Sequence, residues 1–259
     1  MNSKKQVLII AVYAGEIMLK NGAETYRVED TITRLCYSRG FSYVETFVIP
    51  TGIFVSIDAK NTEDKMASYI KRVHERSINL HKVAMVNEFS RAFVNQDISI
   101  EEAMNQLKKI DHCSSYHIAT RSFFGGVISG FFALLFQATL LEASLAFVTG
   151  LIITWFLTNL NRAKMPVFLA NILGGFLLAT IASFFSSFSA LVDIDKIIIG
   201  AIMVMVPGVA ITNAIRDSIL GDLLSGLARA AEAVIIAVSI AFGVGASLQI
   251  WRLAERMIL

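Results

Sequence analysis

Residues 122–141 read SFFGGVISGFFALLFQATLL, an unbroken run without Asp, Glu, Lys or Arg. As a helix rising about 1.5 Å per residue, such a run reaches across a hydrocarbon core of about 30 Å. Four further stretches, 143–161, 165–192, 197–215 and 233–251, are equally free of charge. Buried helices of soluble proteins seldom run that long, so the spacing predicts an all-α polytopic transmembrane bundle of about five helices over 122–259. Small pairs recur inside it at Gly126/Gly130, Ala146/Gly150, Ala170/Gly174 and Ala241/Gly245. Pairs four apart let helix backbones approach closely, and packing is their ordinary use.

The rest of the chain has a different composition. Of its 23 Lys/Arg and 21 Asp/Glu, residues 1–121 hold 16 and 14, leaving 7 and 7 for the remainder. A polar domain over 1–121 therefore precedes a membrane domain over 122–259, and the mean hydropathy of +0.61 reflects the second. A net charge of +2 gives no basic stripe of the kind nucleic acid requires. Two cysteines, Cys36 and Cys113, make no disulfide scaffold and suit a reducing setting. Lys4 and Lys5 before an apolar run imitate a signal peptide, but Val7, Ile10, Ala11, Ala14, Ile17 and Met18 keep helical spacing past Glu16 to Lys20, which predicts one amphipathic helix. A second helix follows Gly22, over Ala23 to Tyr37. Phe41–Ile49 and Ile53–Ala59, rich in β-branched and aromatic residues around Pro50-Thr51-Gly52, predict a β-hairpin, with Met66–Val73 a third strand. Helical spacing resumes from Leu80 to Ile110, broken at Asn95-Gln96-Asp97 and reopened by a Ser99/Glu102 capping box. The first domain is thus α+β and, in this reading, cytosolic.

Arg121 before the first span, and Arg162 and Lys164 after the second, place those ends in the cytoplasm. The loops with Glu142 and with Asp193, Asp195 and Lys196 then face outward. Five spans leave the C-terminus outside, although Arg252 and Arg256 by themselves favour the inside.

Between the fourth and fifth spans stands Pro207-Gly-Val-Ala-Ile-Thr-Asn213-Ala-Ile-Arg216-Asp217-Ser-Ile-Leu-Gly-Asp222, followed by Arg229 and Glu232. Apolar residues keep helical spacing while five charges enter. Pro207-Gly208 can break the fourth helix at membrane depth and free backbone groups for a cavity. Arginine holds a carboxylate with two hydrogen bonds, so Arg216 or Arg229 is the candidate partner of a substrate carboxylate. Asn213 and the Pro207-Gly208 break belong to the same candidate site. Asp217, Asp222 and Glu232 are candidates for a substrate ammonium or for coupling protons, and Arg229 and Glu232 share a helical face. The bland reading is a solvated cytoplasmic hairpin.

These residues, with Asn21-Gly-Ala-Glu-Thr-Tyr-Arg-Val-Glu-Asp-Thr-Ile32 and Pro50-Thr-Gly-Ile53, resemble the threonine/serine exporter family over essentially the whole chain. The chain looks like the split form of that family, in which a cytosolic domain and about five spans are encoded apart from a small second membrane subunit. The resemblance implies export of a small polar metabolite, threonine or serine in fused members and succinate in some two-subunit members. It implies a multi-pass protein of the plasma membrane, embedded in the lipid bilayer, with the small second subunit as obligate partner. A homo-oligomer is the other way to complete the transporter.

Glu24, Arg27, Glu29 and Asp30 form the most distinctive polar run of the first domain. Helix-stabilising ion pairs are the ordinary reading, and a regulatory or docking surface the functional one. His112, Cys113 and His117 lack a fourth ligand and a standard spacing, so no metal site is expected, nor any cofactor. The competing class is a membrane-anchored hydrolase or sensor acting through the first domain, with Thr31, Ser114 or Ser115 beside a His; no nucleophile-elbow, phosphate-loop or zinc-protease motif supports it, and no enzyme is expected.

Overall fold

A computed structural model describes residues 3–58, 67–74, 76–114, 116–188 and 192–258. The chain divides into two compact units: Met1–Ser115 with Gly208–Ala231, and Tyr116–Pro207 with Glu232–Leu259.

The first unit begins with α1 (Ser3–Lys20), followed by α2 (Thr25–Tyr37), β1 (Tyr43–Ile49), β2 (Gly52–Asp58), β3 (Ala67–Arg72), α3 (Leu80–Asn95) and α4 (Ile100–Asp111). The strands form an antiparallel sheet in the order β1-β2-β3, with Val48 opposite Ile53 and Phe54 opposite Ile70. Pro50-Thr51 turns the hairpin as the residues predict, whereas Ala59 and Met66 lie outside the described residues. α1 departs from the amphipathic expectation. Ile10, Ala11, Ala14, Ile17 and Met18 are fully buried and Val7, Leu8, Val12 and Leu19 nearly so, which makes it a central helix packed by α2, α3, α4 and β2. Such a helix must be apolar on every side. Gly22, at φ +91°, ends it, and the Ala23 N–H closes on the Met18 carbonyl at 3.1 Å. The Ser99 hydroxyl caps α4 by accepting from the Glu102 N–H at 3.2 Å.

The unit is completed from far along the chain by α9 (Gly208–Ile219) and the opening turns of α10 (Leu223–Ile258). Gly221, at φ +97°, turns the chain between them. A Cβ on Gly226 would stand 2.1 Å from the Ser218 hydroxyl and 2.9 Å from the Ala214 carbonyl, so the two helices meet at backbone distance.

The second unit contains α5 (Ile118–Leu135), α6 (Leu140–Arg162), α7 (Val167–Ser187), α8 (Ile194–Ile202) and the continuation of α10 from Glu232. Among the described residues four helices, α5, α6, α7 and α10, are long and apolar enough to cross a membrane. The fourth charge-free stretch, 197–215, is not one helix. It is divided between α8 and α9 by Met203–Pro207, as a proline that cannot donate to the preceding turn requires. α8 packs against α5, α6 and α7, with Ile197 and Ala201 fully buried.

Glycine sets the helix spacing in this bundle. A Cβ on Gly125 would meet the Thr154 hydroxyl at 2.0 Å, one on Gly150 the Ser129 hydroxyl at 2.0 Å, and one on Gly126 the Phe147 carbonyl at 2.7 Å. α5 and α6 therefore touch through glycine from both sides. On α10 the Ala241/Gly245 pair has no such role: nothing lies within 4 Å of a Cβ on Gly245, whereas one on Gly243 would stand 2.1 Å from the Ile172 carbonyl of α7. Glu142 is no free loop charge either. It is 1% exposed and completes a capping box with Thr139, accepting from its N–H at 2.6 Å and its hydroxyl at 2.9 Å. Its other oxygen accepts the Asp193 N–H at 2.9 Å and so ties the start of α6 to the start of α8.

These contacts separate two glycines two residues apart. Gly245→Ala gains up to about 1 kcal/mol of helix propensity at an open position, while Gly243→Ala drives a methyl into the α7 backbone and costs about 1–3 kcal/mol of overpacking. Melting of the detergent-purified variants should put Gly243→Ala below the parent and Gly245→Ala at or above it; equal shifts would contradict the glycine assignment.

Candidate functional site

The polar residues singled out near the start of the chain and those near position 216 come together within the first unit. Because α1 ends at Gly22 with a left-handed turn, the next residues leave the helix with their carbonyls unpaired. The hairpin of α9 and α10 supplies the donors. Asn213 Nδ2 donates to the Gly22 carbonyl at 2.9 Å, and Arg229 Nη2 donates to the Ala23 carbonyl at 2.8 Å. In return the Thr25 N–H, at the buried N-terminus of α2, donates to Asp217 Oδ1 at 3.3 Å, and the Thr25 hydroxyl donates to Asp222 Oδ2 at 3.2 Å. A carboxylate against a helix N-terminus is favoured by the helix dipole. Ser225 adds a longer bond, 3.4 Å, to the Val48 carbonyl of β1.

The charges are buried unequally. Asp217 is 0% exposed and Arg229 7%, and they form an ion pair with Nε to Oδ2 at 3.0 Å. Arg216, half exposed, makes an ion pair with Glu24, which also pairs with Arg27 at 3.5 Å. Burial opposes ionisation of Glu24, but its own backbone N–H, Arg27 and Arg216 outweigh that and hold the carboxyl below the usual range. Glu29 accepts the Val48 N–H at 2.7 Å, yet burial above all, with Asp222, Asp217 and Glu45 adding repulsion, pushes it up to about 7. Asp30 lies apart, exposed and paired with Arg34.

Of the remaining candidates, Gly208 opens α9 with nothing within 4 Å of a Cβ built on it, so its place is not enforced by crowding. Pro207 and Glu232 belong to the second unit. His112 bonds the Lys108 carbonyl at 2.8 Å, and His117 caps α5 by accepting from the Ala119 N–H at 3.4 Å. No three His, Cys, Asp or Glu among the described residues stand together as a metal group. The Thr31 hydroxyl donates to the Arg27 carbonyl, and Ser115 lies outside the described residues. Sequence reasoning missed Thr25, Ser225 and the Gly22 and Ala23 carbonyls. Backbone acceptors carry no residue-type signal, and only the glycine that strips them of helix partners hints at them.

A bundle of long apolar helices joined in one chain to an α+β unit, with a charged hairpin seated on that unit, defines a membrane protein. The chain belongs to the family described as putative threonine/serine exporters, whose model matches residues 9–251. It is 24% identical over 248 residues to the probable threonine/serine exporter of Mycobacterium tuberculosis, covering 95% of this chain and 46% of that protein. It is 23% identical over 260 residues to the threonine/serine exporter of Corynebacterium glutamicum, covering 97% and 53%. The chain thus spans about half the length of these two relatives. A third relative is the probable succinate transporter subunit YjjP of Escherichia coli, 21% identical over 265 residues, covering 96% of this chain and 96% of that protein. No solved structure matches the chain.

The raised Glu29 makes the hairpin's seat sensitive to pH. Its value with β1 and the hairpin in place lies above the free value of 4.5, so the closed state holds the proton more tightly. Below 4.5 both states are protonated and the closed state carries no penalty; as pH rises towards about 7 that advantage is lost. Hydrogen exchange at the Val48 amide, corrected for its intrinsic rate, should show protection falling from pH 5 to 8 and a flattened profile in Glu29→Gln. An identical slope in the variant would contradict the assignment.

Proposed function

We propose that this chain is the larger subunit of a membrane exporter of small carboxylate-bearing metabolites. The first unit stands in the cytoplasm and the second crosses the plasma membrane several times. The observation that carries the reading is the charged hairpin itself. Its polar residues seat on the α1–α2 loop, and the same chain runs on without a break into the apolar length of α10. A change at the cytoplasmic loop therefore has a continuous helix along which to reach the membrane segment.

In this reading Arg229 is reached by the substrate only when the hairpin leaves its seat. Arg216, the more exposed, exchanges Glu24 for the substrate carboxylate, a like-for-like replacement of one charge-assisted bond by another. Glu29, Asp217 and Asp222 are the groups on which a coupling proton or a substrate ammonium can act. Glu24, Arg27 and Asp30 form the docking side. Pro207 and Gly208 are the hinge that lets the hairpin move without unwinding α8, with Asn213 and Glu232 following it. The fourth crossing is made by α8 and the irregular Met203–Pro207, tolerable at membrane depth where protein surrounds it. Five crossings in all then leave the C-terminus outside.

The matched half of each longer exporter and the printed description of the E. coli relative as a subunit both support a second, smaller membrane subunit as partner. The named substrates of the relatives, threonine, serine and succinate, all carry a carboxylate, which is the group the arginines recognise.

The test is efflux from proteoliposomes preloaded with labelled threonine, serine or succinate, holding this chain alone or with a co-purified small membrane subunit. Export of at least one substrate by the two-subunit vesicles is expected, with Arg216→Gln slower on the order of tenfold, about 1.4 kcal/mol. Retention equal to that of empty vesicles would overturn export, and full export by this chain alone would overturn the two-subunit reading.

A further inference from the structure

The hairpin of α9 and α10 that completes the first unit is amphipathic in the sense opposite to that of a water-exposed hairpin. Its inner side carries the polar groups: Asn213 and Asp217 of α9 and Ser225 and Arg229 of α10 are all buried. Its outer side is aliphatic. Ile211, Ile215 and Ile219, four apart along one side of α9, are exposed, Ile219 by 79%. In the opening turns of α10, Leu223, Leu224 and Leu227 are each more than two-thirds exposed, and the other exposed positions before Glu232 are Ala228 and Ala231. Water by itself favours the reverse, with the aliphatic side chains inside and the charges outside. A contiguous apolar patch of this kind marks a surface that something covers.

The pattern does not stop with the hairpin. α10 is one unbroken helix, Leu223–Ile258, and the same outward spacing runs on through Val234, Ile235, Val238 and Phe242, all exposed. No exposed residue of α10 from Leu223 to Ile250 carries a charge. At 1.5 Å per residue that stripe is about 41 Å long, the thickness of a bilayer with its headgroup layers, about 40–45 Å, rather than of its hydrocarbon core of about 30 Å. A protein partner would leave a polar rim around its footprint, and along α10 no charged rim interrupts the stripe. α9 lies against the opening turns of α10 at the backbone distance that Gly226 permits, so its isoleucines share the leucines' surroundings.

We propose that the outward face of the α9–α10 hairpin is a lipid-binding surface, with Ile211, Ile215, Ile219, Leu223, Leu224 and Leu227 among acyl chains at the edge of the bilayer and the polar side turned to the α1–α2 loop. An interfacial amphipathic helix buries its apolar face about 5–10 Å into the boundary of headgroups and acyl chains. The two faces of the hairpin then have two different partners, and the first unit is held against the bilayer by an element of its own. On the transport reading, opening of the seat is a movement of the α1–α2 loop away from a hairpin that lipid keeps in place. The surface itself does not depend on that reading, because lipid contact is measured without flux.

The experiment is photo-crosslinking of the unaltered full chain in liposomes of phosphatidylethanolamine and phosphatidylglycerol, doped with a lipid that carries a diazirine in its acyl chain, followed by trypsin digestion. Cleavage after Arg216 and Arg229 releases residues 217–229, which hold Ile219 and the three leucines. Cleavage after Arg91 and Lys108 releases residues 92–108, from the end of α3 and most of α4, as the comparison within the same unit. Lipid adducts on 217–229 several-fold above those on 92–108 are expected. A second copy of the chain is the rival occupant. Leu224→Cys, made together with Cys113→Ser in liposomes at low protein density, should stay monomeric on oxidation. The proposal is overturned if 217–229 carries no more lipid than 92–108, or if the Leu224→Cys chains join through a disulfide, which puts another protein on this face.

Discussion

The ion pair of Asp217 with Arg229 is the contact on which the first unit's closure depends. Two opposite charges almost wholly out of water are costly unless every remaining donor and acceptor is used. Here Asp217 also takes the Thr25 N–H and Arg229 also serves the Ala23 carbonyl. Each charge thus satisfies a backbone group left open by the end of α1 or the start of α2. Removing one partner leaves the other buried and uncompensated, at about 3–5 kcal/mol, whereas the Arg216–Glu24 pair keeps its arginine half in solvent, where screening weakens it. The deep pair holds the hairpin, and the outer one is cheap to open.

The second unit is built on a different constraint. Inside a lipid phase, apolar surface gives no drive for helices to associate, so close backbone approach and satisfied polar groups decide the packing. Gly125, Gly126 and Gly150 bring α5 and α6 together, and Gly175 and Gly243 do the same for α7 and α10. Glu142 anchors the short α8 by capping α6 and accepting the Asp193 N–H. A nine-residue helix surrounded by three long ones is held by the bundle rather than by its own length.

Much of this was legible in the residues. Charge-free runs marked the four long apolar helices, β-branched clusters around Pro50-Thr51-Gly52 marked the hairpin, and the two polar motifs were visible as exceptions to their surroundings. What the residues did not reveal was that the motifs meet, since periodicity is local and Thr25 lies 192 positions from Asp217. The fourth charge-free run, 197–215, has the content of a single helix, but Pro207 and the preceding turn divide it between α8 and α9, because composition ignores backbone. The small-pair pattern likewise pointed to Gly245 rather than Gly243, because it counts spacing and is blind to which face meets a neighbour. α1 reads as amphipathic because Glu16 and Lys20 punctuate it, whereas the fold buries Glu16 and pairs it with the partly exposed Lys20 and Lys71.

The most direct test of the hairpin's seat is hydrogen exchange over residues 208–231 in Arg229→Met and in the double variant Arg229→Met/Asp217→Leu. The single variant should lose protection across the whole hairpin and at the Thr25 amide. The double variant, with no orphaned charge, should regain most of it along the hairpin. If Arg229→Met is as protected as the parent, the buried pair does not hold the hairpin, and the account built on it is wrong.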